Sequence, residues 1–92
     1  MILNIILFKN VKIDCFTTPQ FTDIDAEKAA LQLARSLKLN EGKEEINKFK
    51  HLEMYYFGTF EDSTGKIELL SEPKRLLDCT KFFKGEEVVS NE

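Results

Sequence analysis

Glu53-Met54-Tyr55-Tyr56-Phe57-Gly58-Thr59-Phe60, then Glu61-Asp62-Ser63-Thr64-Gly65, then Lys66-Ile67-Glu68-Leu69-Leu70: this run decides the fold. Its first part is aromatic and β-favouring, its middle is a cluster of turn residues, and its last part resumes a strand. Two such strands joined by a short Asp/Ser/Gly loop make a β-hairpin. Gly58 in mid-strand marks a bulge or a place where something packs close to the backbone. Simple alternation puts Tyr55, Phe57 and Thr59 on one face and Met54, Tyr56, Gly58 and Phe60 on the other. Pro73 is expected to stop the second strand, because proline cannot donate to a ladder. Leu76 to Phe83 is apolar enough for one more short strand or an edge turn.

Upstream of the hairpin lies a helix. Thr22, Asp23 and Asp25 offer capping oxygens and negative charge for its N-terminus. From Ile24 the apolar positions run Ala26, Ala30, Leu33 and Leu37, with Leu31 and Ala34 alongside. Spacings of three and four make one apolar stripe, and Glu27, Lys28, Gln32 and Arg35 take the wet side. Alanine and leucine are strong helix formers, so preference and pattern agree. Gly42 closes this element in a left-handed or loop conformation. A further turn of helix fits Glu44–Phe49, with Ile46 and Phe49 as its apolar side.

At the start, Met1–Phe8 is apolar and rich in Ile, which suits a buried strand. Val11-Lys12-Ile13-Asp14-Cys15-Phe16 alternates, with Val11, Ile13 and Cys15 on the apolar side. The two segments read as one long bent strand or as a tight hairpin. Lys9-Asn10 lacks the glycine that two-residue turns favour, so one interrupted strand is preferred. Thr17-Thr18-Pro19-Gln20 ends it. The expected fold is α/β: a small, mainly antiparallel sheet in strand–helix–hairpin order, with one amphipathic helix packed on one face. Residues 1–84 form the single domain, and 85–92 a flexible acidic tail.

Composition narrows the function classes. Of the 92 residues, 42% are hydrophobic and eight are Phe, which supports a modest core; thirteen Lys and Arg against sixteen Asp and Glu leave a net charge of −3. That balance opposes indiscriminate coating of DNA, which relies on neutralising phosphates, unless the basic residues segregate in space. So short a chain leaves much of its surface in water, and a partner would add stability, which points to a homo-oligomer. Met1–Phe8 is too short to span a bilayer, so no membrane association is expected. Without a recognisable export signal the expectation is a cytosolic protein with reduced thiols.

Catalytic chemistry has little to build on. His51 is the sole histidine, and neither Cys15 nor Cys79 lies in a nucleophile motif. Cys15, on the apolar side of its strand, reads as core, and Cys79 as inert. Two Cys and one His are too few for a four-ligand zinc site. The acidic pairs Glu44-Glu45, Glu61-Asp62 and Glu86-Glu87 fall in loops or the tail and read as solvated surface. There is no glycine-rich phosphate loop. No catalytic residue, cofactor or metal is therefore expected. Aromatics interleaved with base remain: one face of the Tyr55 strand could stack single-stranded bases. The candidate contact set is Lys50, His51, Tyr55, Phe57, Lys74 and Arg75, with Lys48, Lys81 and Lys84 nearby.

From Lys50 the chain reads K-H-L-E-M-Y-Y-F-G-T-F-E-D-S-T-G-K-I-E-L-L-S-E-P. This resembles the signature of the small non-structural protein of gokushoviruses, the Microviridae of intracellular bacteria and gut communities. Lys50-His51, Glu53, Gly58, Phe60, Asp62, Thr64-Gly65 and Pro73 fall into its register. An alternating strand, a Phe16/Pro19/Phe21 loop and an Ala-rich helix take the expected places upstream, so the likeness spans residues 8 to 76. Leu52 stands where that family has proline, Met54 where it has an acidic residue, and Met1–Leu7 is an added apolar lead. The resemblance implies a non-capsid accessory protein in the cytoplasm of an infected bacterium. Its partners would be single-stranded DNA or the phage and host replication and packaging machinery. A protein–protein or oligomerisation module that does not touch nucleic acid is the competing expectation.

Overall fold

The computed structural model describes residues 1–83. Lys84 and the expected acidic tail lie outside the described residues. The strands are β1 (Ile2–Asn10), β2 (Cys15–Phe16), β3 (Gln20–Thr22), β4 (Leu52–Glu61) and β5 (Lys66–Asp78). One α-helix, α1 (Ala26–Leu39), and two 3-10 segments, Glu44–Phe49 and Cys79–Phe83, complete the described residues. All pairings are antiparallel. β4 lies between β1 and β5, while β2 and β3 pair in turn with the far side of β1. This is the expected small α/β fold, a curled sheet with one main helix.

The N-terminal segment departs from the preferred reading. β1 does not run on through Val11; it turns at residues 11–14, and β2 and β3 come back along it. Asn10 and Asp14 do the work that glycine was expected to do. The Asn10 side-chain oxygen accepts from the backbone N–H of Lys12 (3.0 Å) and Ile13 (3.3 Å), and Asp14 takes φ +57°. Short polar side chains tolerate this left-handed region because they stabilise turns locally. The turn puts Val11 and Ile13 in water and leaves Cys15 exposed rather than in the core. Thr17 and Pro19 break the returning strand, so the register shifts by one residue between β2 and β3.

The helix follows its pattern. Asp25 caps it, its carboxylate accepting from Lys28 N–H at 3.1 Å, and Asn40 closes it by donating to the Ser36 carbonyl at 2.7 Å. Ala26, Ala30 and Leu37 are buried and Leu33 packs beside them, whereas Leu31 is exposed. The apolar side meets Ile6, Phe8, Met54, Cys79 and Phe83 in one cluster, joined by Ile46 of the first 3-10 segment. Asn4 donates to the Ile24 carbonyl at 2.9 Å and so fixes where the helix enters.

Pro73 does not stop β5. The strand continues to Asp78, and Leu76 and Leu77 belong to it rather than to a separate strand. β5 is the outer strand, so a residue without an N–H costs it no ladder bond. The ladder is also interrupted there. Tyr56 faces Lys74 and Gly58 faces Leu69, so Phe57 alone on β4 stands opposite Leu70-Ser71-Glu72-Pro73. Gly58 sits at φ +147°, and a Cβ there would run into the Glu68 carbonyl oxygen. The glycine signal in the sequence thus marks both a bulge and a close backbone approach.

The bulge also resets the faces. β1 alternates without interruption, and residues directly opposite in a ladder share a face. Leu7 faces Tyr55 and Leu3 faces Phe60. Phe60 therefore joins Tyr55 and Phe57 instead of Met54 and Tyr56, and Thr59 faces Asn4 on the helix side. Strict alternation fails because one extra residue inverts every side chain beyond it.

Candidate functional site

The face turned away from α1 holds Leu3, Ile5, Leu7 and Lys9 from β1, with Glu53, Tyr55, Phe57 and Phe60 from β4. Phe16 stands opposite Lys9, Phe21 opposite Ile5 and Arg75 opposite Tyr55. β2 and β4 flank β1 on opposite sides, about 9.5 Å apart at the usual strand spacing. Yet the Phe16 ring lies 5.6 Å from Tyr55 and 5.2 Å from Phe57, in edge-to-face contact. Phe21 on β3 similarly meets Phe60 on β4 at 5.5 Å. The rings therefore lean over β1 and meet above it. That roof explains why Ile5 is only 6% exposed although it lies outside the helix-side cluster.

The roof is not closed. Phe16 is 39% and Phe21 52% exposed. Charge collects at the Asn10 end of this face. Lys9 lies 5.7 Å from the centre of the Phe16 ring and 3.1 Å from Asp14, whose hydrogen-bonded carboxylate holds the ammonium above the ordinary lysine range. Glu53 takes two donors, the Tyr55 hydroxyl at 2.8 Å and Arg75 Nη1 at 3.1 Å. Hydrogen bonding to Glu53, then burial, raises the Tyr55 phenol above its usual range, so Tyr55 stays a neutral donor. Exposed ion pairs of this kind are worth little, about 0–1 kcal/mol, and an incoming anion can compete for Lys9 or Arg75.

The six expected contact residues are divided by the fold. Tyr55, Phe57 and Arg75 come together on the open face. Lys74 falls on the helix side, where it pairs with Glu27 at 2.9 Å. Lys50 and His51 precede β4, and the His51 carbonyl accepts from Val11 N–H at 2.8 Å at the Asn10 end of the sheet. Sequence reading missed Lys9, Phe16, Phe21 and Phe60. Lys9-Asn10 lacks the glycine that would announce the N-terminal hairpin, the element that delivers Phe16 and Phe21 to this face.

The thiols and the imidazole do not converge. Cys79 is fully buried in the core, where loss of hydration pushes its thiol up to about 12. Cys15 lies on the exposed N-terminal hairpin, and β1 separates it from His51. Among the described residues no group of three or more His, Cys, Asp or Glu side chains could hold a metal ion. On the helix side, a groove of about 530 Å³ opens between β3, α1 and the Glu44–Phe49 segment, floored by Ile6, Phe8 and Met54 with Gln20 and Lys48 at its rim. No described helix is long and apolar enough to cross a membrane.

No protein-family model, curated protein or solved structure matches this chain.

Proposed function

We propose that the protein is a non-catalytic binding protein whose working surface is the helix-free face of the sheet. In the role that the gokushovirus likeness of Lys50–Pro73 implies, it serves a small phage as an accessory factor that takes hold of single-stranded DNA. The observation that carries this reading is the row of part-exposed rings, Phe16, Tyr55, Phe57, Phe21 and Phe60, on one face with Lys9 and Arg75 beside it. Rings of this kind stack bases without regard to sequence, and flanking cations follow the phosphates.

A protein partner at the same face is the second reading. Glu53 favours it, because a carboxylate that already engages Arg75 and Tyr55 sets negative charge in the path of a phosphate chain. The net charge of −3 favours it too. Fluorescence anisotropy of a labelled oligothymidylate separates the two. Binding at low salt that falls steeply as salt rises, and that weakens about tenfold in Phe16→Ala or Tyr55→Ala, supports the nucleic-acid reading. A flat titration at low salt with folded protein rejects it in favour of the protein partner.

A further inference from the structure

We infer that the Lys66–Leu70 segment of β5 is a self-complementary docking edge, where a second copy of this chain pairs antiparallel about a two-fold axis at Ile67. The inference does not depend on which ligand the open face takes.

Every residue of the stretch Lys66–Arg75 is exposed. Ile67, opposite Phe60, and Leu69, opposite Gly58, lie on the helix-free face, and at 56% and 64% exposed they set apolar side chains in water along the sheet edge. The helix reaches β5 only near Lys74 and Leu76, so the Lys66 end projects without cover. The molecule is correspondingly long, 51 × 26 × 17 Å, with a radius of gyration of 14.6 Å against about 12 Å for a compact chain of this length.

A flat apolar edge is a template for pairing, and proteins usually blunt it with proline, bulges, short strands or unpaired lysine. The opposite edge of this sheet is blunted: β2 and β3 span two and three residues and are broken at Pro19. On β5 the bulge and Pro73 blunt Leu70–Pro73. Lys66–Leu70 has no such device except Lys66, and that charge is answered by Glu68 at 3.0 Å.

Charge selects the occupant. In antiparallel pairing about Ile67, Lys66 of each copy stands opposite Glu68 of the other, on the same face, and Ile67 meets Ile67. The Lys-Ile-Glu triplet is thus its own complement. Opposite charges directly across a ladder stabilise it and like charges disfavour it. A shift of the axis to Leu69 would set Glu68 against Leu70 and place the only remaining Lys–Glu match, Lys66 with Glu72, in the interrupted stretch of the ladder.

Sedimentation velocity over a concentration series tests the pairing. The wild type is expected to move towards twice the 10.7 kDa chain mass as concentration rises. Lys66→Glu and Glu68→Lys, each alone, set like charges across the axis and should leave monomers. The double variant K66E/E68K restores opposite charges and should restore the dimer. Both positions are exposed, and circular dichroism checks that each variant is folded. Independently, Ile67→Cys in a Cys15→Ser background should cross-link on mild oxidation, since facing Cα atoms about 4.5–5.5 Å apart fall within disulfide reach. A wild type that stays monomeric throughout overturns the inference. So does a dimer that survives both single reversals, or folded variants in which the double change brings no recovery.

Discussion

The two ends of the sheet turn their apolar rows to opposite faces. At the Asn10 end, Phe8, Met54 and Leu77 lie in one row across three strands and are covered by α1 and both 3-10 segments. At the Met1 end the row on that same face is polar, Asn4, Thr59 and Glu68, while the apolar row Leu3, Phe60 and Ile67 lies on the face turned away from the helix. The N-terminal ammonium pairs there with Glu61 and Asp62 at 3.0 and 2.9 Å, holding the strand ends together through exposed contacts. Apolar composition therefore does not by itself say where the core is. Among the described residues, one α-helix of fourteen residues, roughly 21 Å long, covers the Asn10 end of one face of a sheet whose longest strand spans thirteen residues, roughly 43 Å.

The sharpest test of this contrast removes one leucine from each end. Leu37→Ala, at a fully buried position, should cost about 3–4 kcal/mol in urea unfolding, from lost burial and the cavity left behind. Leu69→Ala, at low protein concentration, should stay within about 0.5 kcal/mol of wild type. Comparable losses at the two sites would break the comparison. Gly58→Ala comes next, at about 2–3 kcal/mol in a thermal or urea melt. The new methyl meets the Glu68 carbonyl, and the backbone stands at a φ that side chains rarely adopt. A neutral Gly58→Ala would mean that the bulge is not rigid. Asp25→Ala, which removes only the helix cap over the covered end, should cost about 1 kcal/mol by the same measurement.

A chemical measurement reports on the same divide. A thiol reagent under native conditions should label Cys15 at once and Cys79 only as the chain unfolds. Burial raises the folded Cys79 thiol to about 12 from an ordinary value of 9.0. Above about pH 9 the unfolded chain releases this proton while the folded chain keeps it, so Cys79 should lower stability progressively as pH rises. The urea midpoint of Cys79→Ala should then fall less between pH 8 and 10 than that of the wild type. Equal slopes would show that the folded thiol ionises as freely as the unfolded one.

Much of this architecture was legible in residue order. The Ala26–Leu37 stripe and the Asp25 cap specify the helix through contacts three and four residues apart. The Asp62–Gly65 cluster specifies the hairpin turn, and Gly58 marked its own bulge. The open face was only half legible. Tyr55 and Phe57 were singled out, but strict alternation assigned Phe60 to the wrong side and the N-terminal turn went unread. Asn10 and Asp14 form that turn with side-chain hydrogen bonding and one left-handed residue, a weaker signal than glycine.

What the sequence determined alone are the elements whose causes lie within a few residues: helix, cap, turn and bulge. Only the tertiary structure decided which side of each strand meets the helix, which end of the sheet stays bare, and that rings from β2, β3 and β4 meet above β1. Those outcomes depend on the register between segments distant in the chain. There a single inserted residue exchanges the two faces, and no local preference fixes where it falls.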